Sequence, residues 1–467
     1  MPDEFFNGAT EWHPIGGALP VRTPVRRRSH QTGTTPSPAW LETAVWLPFH
    51  TVDCCLLTQA SVASPPDSPQ GKSMTSLSGS SPSENLSTSE RLAEIAERIA
   101  ETVAGPAAYD VDLNARFPAE AVAALKEERV LSSLVPVEQG GMGASLTDIS
   151  NAIRVLGRSC AATGSVLAMH MEQMFVLLKY GTTPSLRRAV EEVVDKQLLI
   201  ANANSEVGIG GDVMRSNAAL EPDGDGWRFD KQALAASYGL DSDMILSTAR
   251  RSPDAADTDQ ALCLLRTADF TLEPTSGWDT LGLRGTCSSG LHISGHVTAD
   301  DLFPAAFSEI ANGGGGQLRH ILLTAVWTGL AEAAMEEAHK SVRAAARRSI
   351  GTTPQSALRL SEIFAEVQVA RSTLAEAQRQ IEDAIESDTL EHIGLIMSLR
   401  NVKVVTSTAA MRAATAALQI CGINGFRRGP EHRLERVVRD SCGALIMVSN
   451  DRYLHENAEM LPLRKTI

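Results

Sequence analysis

The sequence predicts an α+β fold, mostly α, in three parts. These are an N-terminal helical domain over 89–196, a central β domain of barrel or sandwich type over 197–303, and a C-terminal four-helix bundle over 304–467. Two changes of residue spacing and one of composition predict it. Apolar residues recur every three to four positions up to about 196, alternate in short runs broken by Gly, Asp and Pro up to about 303, and then return to helical spacing in three long segments. Residues 1–88 are instead rich in Pro, Ser, Thr and Gly, with the low-complexity run "SGSSPSENLSTS". Such a composition buries too little apolar surface to offset chain entropy, so a disordered extension is expected, most of which translation from Met74 would remove.

"STSERLAEIAERIAETVA" carries apolar residues at 92, 95, 99 and 103 on one face, with Ser89 as the expected N-cap. "PAEAVAALKEERVL" places Pro118 in the first turn of a second helix. "SLTDISNAIRVLGRSC" is a third, "GSVLAMHMEQMFVLLKYG" a fourth that is apolar almost all round and therefore buried, and "TPSLRRAVEEVVDKQ" a fifth. In the middle, "EPDGDGWRFD" reads as a hairpin with an Asp-Gly turn, and "DMILSTAR", "ALCLLRTADFTLEP" and "GLHISGHVTADDLF" as further strands. After "NGGGGQ" (312–317) come helices of about thirty residues, which side by side make a bundle.

A net charge of −14 argues against nucleic-acid partners and anionic membrane surfaces. The apolar runs fall short of a bilayer span, so no membrane insertion is expected. Seven cysteines without CxxC spacing fit reduced thiols in a cytoplasmic protein, and eleven histidines without an HExxH pattern give no metal site.

Five stretches carry chemistry. "ANANSEVGIGGDV" (201–213) ends a strand in small residues that let backbone N–H groups and the Ser205 hydroxyl approach a flat ring. "FDKQALAASYGLDSDMILSTAR" (229–250) offers a second hydroxyl, Ser237, beside Ala235. "GWDTLGLRGTCSSGLHISG" (277–295) contains Arg284, expected to give structural support. "AARRSIG" (345–351) puts Arg347 at a helix end, where its fork suits a diphosphate. "LQICGINGFRRGPEHRLERVVRD" (418–440) joins Gln419 to a turn at Gly422 and closes on Arg439-Asp440.

In this order and spacing, over roughly residues 89–460, these stretches resemble the acyl-CoA dehydrogenase superfamily of flavoproteins. The resemblance implies FAD, with Ser205 and Ser237 on the flavin, Gly211 near the acyl thioester, and Arg347, Gln419 and Gly422 reaching the cofactor of a neighbouring subunit in a homodimer or homotetramer. Ala235 replaces a Trp that many members stack on the ring, and Ile350 replaces an aromatic. The implied reaction is α,β-dehydrogenation of an acyl-CoA or acyl-carrier-protein thioester, with an electron acceptor. The alternative is a two-component monooxygenase fed by a flavin reductase.

Dehydrogenation needs a carboxylate to take the α-proton. Where many members have that Glu, eight residues after Asp440, stands Val448; at the family's second position, early in the first bundle helix, stands Arg319. Two substitutes remain: Asp451, otherwise a helix cap, and His170, otherwise a satisfied core histidine, with Glu172 two residues on expected to point elsewhere.

Overall fold

The computed structural model describes residues 86–348 and 351–463. The expectations for residues 1–85, Met74 included, and for Ile350 lie outside the described residues.

Helix α1 (Thr88–Ile99) starts two residues earlier than its predicted cap implies. Its N-cap is Ser87, which accepts from the Glu90 N–H at 3.3 Å while the Glu90 carboxylate accepts from the Ser87 N–H at 3.0 Å. This reciprocal pair needs an acid three residues after the serine; Ser87 has one, whereas Ser89 is followed at that spacing by Leu92. The chain does not stop at Ala104 either. A π-type turn over Ala100–Ala104 carries it into α2 (Gly105–Leu113), with Pro106 in the first turn, where a missing N–H is tolerated.

Four helices follow: α3 (Ala119–Glu127), α4 (Leu146–Ser159), α5 (Ala161–Tyr180) and α6 (Pro184–Lys196). Among the described residues, only α5 is long and apolar enough to cross a membrane by length and composition, which the sequence reading had not anticipated. It is buried along most of its length, with Val166, Leu167, Met171, Met174 and Leu177 in the core.

Among the described residues, seven strands form two sheets. In one, β1 (Ile200–Asn202) pairs parallel with β4 (Met244–Arg250), which pairs antiparallel with β5 (Gln260–Arg266). The other is antiparallel, in the order β2 (Glu221–Asp223), β3 (Gly226–Ala233), β7 (Leu291–Val297), β6 (Thr271–Pro274). The predicted hairpin is the β2–β3 pair, registered Asp223 to Gly226.

A short helix, α7 (Phe307–Ile310), leads through a glycine run into α8 (Gly316–Arg348). A Cβ at Gly313 would meet Tyr180 Oη at 2.1 Å, and one at Gly314, where φ is +130°, the Phe175 ring at 2.7 Å. The run is glycine because α8 begins against the side chains of α5. Helices α9 (Ser356–Glu386) and α10 (Ile393–Cys421) run down and up beside α8 around fully buried Trp327. After the short α11 (Ile423–Phe426), α12 (Leu434–Ile446) completes the bundle, and α13 (Asn450–Met460) packs on α10. The expected mostly helical α+β architecture is the one the chain adopts.

Candidate functional site

The Gly-rich loop leaves the end of β1. Ser205 Oγ donates to the Ala235 carbonyl at 2.8 Å and accepts from the Ala235 N–H at 3.1 Å, fastening the loop to the end of β3. Ser237 Oγ lies 2.8 Å from Ser288 Oγ, which lies 2.8 Å from Thr286 Oγ1, so the loop before β7 joins the same row of hydroxyls. The two predicted serines therefore flank Ala235, which offers only a methyl group. Ala235 itself places no bulky side chain between the two hydroxyl residues.

Beneath the loop, the buried Glu206 carboxylate accepts from Ser216 Oγ (2.8 Å) and from the N–H groups of Asn217 (3.1 Å) and Ala218 (2.8 Å). Lys231 Nζ stands 3.6 Å from Glu206, and burial pushes its pKa down to about 8. Above it, Gly208, Gly210 and Gly211 all have positive φ. Arg452 of α13 donates to the carbonyls of Gly211 (2.6 Å) and Gly210 (3.2 Å), so the last helix holds the tip of the loop.

His170 does not face the loop. Its Nε2 donates to the Leu131 carbonyl at 2.8 Å and its Nδ1 accepts from the Ile200 N–H at 3.0 Å, which uses both ring nitrogens and fixes the tautomer. Burial drops its pKa to about 4. It joins α5 to β1 and has no nitrogen left for chemistry. Asp451 is the second residue of α13 and is exposed; the N-cap is Ser449.

Glu172 points away from the partners of His170, as its position two residues on implies. It is buried, and Arg319 grips it through Nε at 3.0 Å to both oxygens and through Nη2 at 2.5 Å. The charge of Glu172 is the main cause that raises the Arg319 pKa. The pair borders a narrow cavity of about 40 Å³, lined also by Asn202, Asn204, Phe307 and Ile310, which begins one residue before Ser205. One signal for Glu172 was legible beforehand: a charge on a helix buried all round requires a partner.

The segment between α12 and α13 is set by a different cation. Val448 has φ +51°, costly for a β-branched residue. Buried Lys403 compensates by donating to the Val448 carbonyl and to Asn450 Oδ1, both at 2.6 Å. The Arg-Asp pair before it is structural. Arg439 bonds Asp112 at 2.8 and 2.5 Å, and Asp440 accepts from the Leu283 N–H at 2.6 Å. Arg284 likewise donates to the Asp112 carbonyl at 2.8 Å. Together they clamp the 279–287 loop to α2 and α12.

Arg347, Gln419 and Gly422 are all exposed toward the end of the bundle where α8 and α10 finish. They do not meet within the chain. Gln419 Oε1 accepts from Arg359, Cys421 reaches the Glu337 carbonyl, and Arg347 lies ten residues further along α8, about 15 Å at helical rise. Gly422 (φ +57°, ψ −136°) closes α10 in a conformation suited to glycine. A second cavity, about 650 Å³, lies next to Gln419 and Gly422 and is lined by Leu418, Phe426, Arg284, Arg428 and Arg439.

Two helical domains flank a pair of small sheets, and a hydroxyl-bearing Gly-rich loop faces the bundle: these are the parts of a flavin-dependent oxidoreductase. The description "Acyl-CoA dehydrogenase, N-terminal domain" matches residues 87–197 and "Acyl-CoA dehydrogenase, C-terminal domain" residues 317–447; the chain belongs to this flavoprotein superfamily. It is 24% identical over 355 residues to cyclohex-1-ene-1-carbonyl-CoA dehydrogenase of Syntrophus aciditrophicus (strain SB), covering 75% of this chain and 84% of that one. Dibenzothiophene monooxygenase of Mycolicibacterium goodii is 22% identical over 339 residues, or 68% of this chain and 80% of the relative. Butyryl-CoA dehydrogenase from Megasphaera elsdenii shares the fold with a TM-score of 0.70 at 19% identity, over 81% of this chain and 99% of that one.

Proposed function

We propose that this protein is an FAD-dependent oxidoreductase that removes the α and β hydrogens of an acyl thioester, carried on CoA or an acyl-carrier protein, and passes electrons to a separate acceptor. The observation that carries the reading is a buried carboxylate, Glu172, in a cavity lined by Asn202 and Asn204 where the chain enters the loop that bears Ser205. When bound, the flavin supplies a hydride acceptor. Ser205 and Ser237 would hold the ring edge, and the backbone of Gly208–Gly211 would lie near the thioester. Among the described residues, Glu172 is the carboxylate lining this cavity, and its oxygens receive the α-proton while Arg319 orients them. Phe307, Ile310, Val176 and Leu262 keep water out. Exposed Arg347, Gln419 and Gly422 support a cofactor extended by a diphosphate and shared across a homodimer or homotetramer in the cytoplasm.

The test is anaerobic mixing of holoenzyme with a panel of acyl-CoAs. Bleaching of the flavin without any reductase is expected, and heat release of the cofactor should yield FAD. One pair of observations favours a second reading, a two-component monooxygenase: both usual positions of the base hold residues that cannot take a proton, Val448 and Arg319. Oxygen-dependent turnover only with a flavin reductase, and no bleaching by any acyl-CoA, would replace the first reading with the second.

A further inference from the structure

The cavity beside Glu172 measures about 40 Å³, whereas sites that enclose small organic ligands run to roughly 300–1,000 Å³. An acyl chain therefore enters only if a wall withdraws. Most of the lining is fixed: Glu172 and Val176 lie on α5, Asn202 ends β1, Leu262 lies in β5, and the Val213 carbonyl is fastened to Gln260 at 3.3 Å. One wall is built differently. The junction between α7 and α8, residues 304–316, supplies Phe307, Ile310, Ala311, Gly315 and Gly316. Among the described residues, no hydrogen bond or ion pair ties 304–310 to anything outside this strap. Two plugs and one latch hold it. Phe307 and Ile310, 6% and 2% exposed, seat in the apolar cluster that contains Val176 and Leu262. The Gly313 carbonyl accepts from Lys179 Nζ at 2.9 Å and from Tyr180 Oη at 2.8 Å.

The helical course breaks at the latch, with Gly313 at φ −89°, ψ 25° and Gly314 at φ +130°, ψ −31°. Glycine takes new backbone angles at little steric cost, so the strap hinges there. Beyond the hinge the chain enters a separate core: Leu318 packs in the main apolar cluster and not with the plugs. We propose that the strap is the movable wall of the acyl pocket, and that Phe307 and Ile310 set acyl length by how far they withdraw. The structure shows the wall shut. An incoming acyl chain takes the place of the plugs against Val176 and Leu262, so apolar burial is exchanged rather than lost. Opening breaks both bonds to Gly313 and weakens binding by that amount. This inference rests on the acyl-thioester reading given above.

The experiment is hydrogen exchange by mass spectrometry on the holoenzyme, paired with anaerobic flavin bleaching by short, medium and long acyl-CoAs. In the wild type the amides of 309–316 should exchange faster once a bleaching acyl-CoA is bound, while those in the middle of α8 stay unchanged. Lys179→Met combined with Tyr180→Phe removes the latch without touching the cavity lining. Strap exchange in the free protein should then rise about tenfold or more. The acyl-CoA concentration for half-maximal bleaching should fall by a similar factor at an unchanged limiting rate, a split that mere loss of stability would not produce. Phe307→Ala should bleach with acyl chains longer than the wild type accepts. Bleaching with no change in strap exchange, a latch variant that needs more acyl-CoA, or an unaltered length limit in Phe307→Ala overturns the movable wall while leaving the acyl-thioester reading standing. No bleaching by any thioester overturns both.

Discussion

Replacing His170 by Gln separates scaffold from catalysis at one residue. The imidazole is buried, donates to Leu131 and accepts from Ile200, and its pKa falls from 6.5 to about 4 through burial. The sign follows from comparing the two states. Below pH 6.5 the unfolded chain takes up a proton that the folded chain refuses until about pH 4. The stability given by neutral His170 is therefore complete above pH 6.5 and lost as pH falls toward 4. A shift of about 2.5 units at ~1.4 kcal/mol each makes the loss on the order of 3 kcal/mol. Glutamine can also donate and accept but does not titrate. At pH 7.5 His170→Gln should cost about 1–2 kcal/mol from imperfect geometry. Between pH 6.5 and 4.5 the gap should narrow and then reverse. Urea midpoints across that range measure it, with flavin bleaching by the best acyl-CoA at pH 7.5 as the activity readout. Parallel stability profiles for the two proteins, or a hundredfold fall in bleaching rate in a variant that still folds, would refute the structural role.

Ser205→Ala removes both bonds to Ala235; flavin retention on gel filtration should fall and unfolding should come about 1–2 kcal/mol earlier. Gly314→Ala places a methyl 2.7 Å from Phe175 at a φ of +130°, so a loss of at least about 3 kcal/mol is expected by urea denaturation, with a wild-type midpoint counting against the close-packing account. Asp451→Asn changes an exposed residue in the first turn of α13 and should leave the acyl-CoA bleaching rate within about twofold, since its helix-terminus effect is worth under ~1 kcal/mol. A slower rate by orders of magnitude would return Asp451 to the role of base.

The helices were legible because their burial repeats with the turn: Leu92, Ile95 and Ile99 were read onto one face and are buried together. The start of α1 was missed by two residues because several serines precede it, and the Ser87–Glu90 spacing had to be weighed above proximity to the first apolar residue. The first helical stretch was read only as far as Ala104, yet a π-type turn over Ala100–Ala104 carries the chain on into α2, with Pro106 in its first turn. At the candidate site, motif order pointed to Ser205, which bonds the Ala235 backbone, and to Ser237, which lies against Ser288. Glu172 was missed because helical period shows which residues share a face of α5 but not which helix opposes it; Arg319 lies 147 positions away in sequence. Arg319 was recognised as unable to serve as a base, but nothing local pointed to its carboxylate partner.

The hold of Arg452 on the carbonyls of Gly210 and Gly211 has a consequence for biosynthesis. Domains emerge and fold from the N-terminus during translation. The Gly-rich turn is made first, and its outer restraint follows 241 residues later. While residue 452 is still inside the ribosomal tunnel, both sheets can be complete and yet this turn stays unlatched. A ribosome-stalled protein with α13 still unexposed should therefore capture flavin poorly although both sheets have folded.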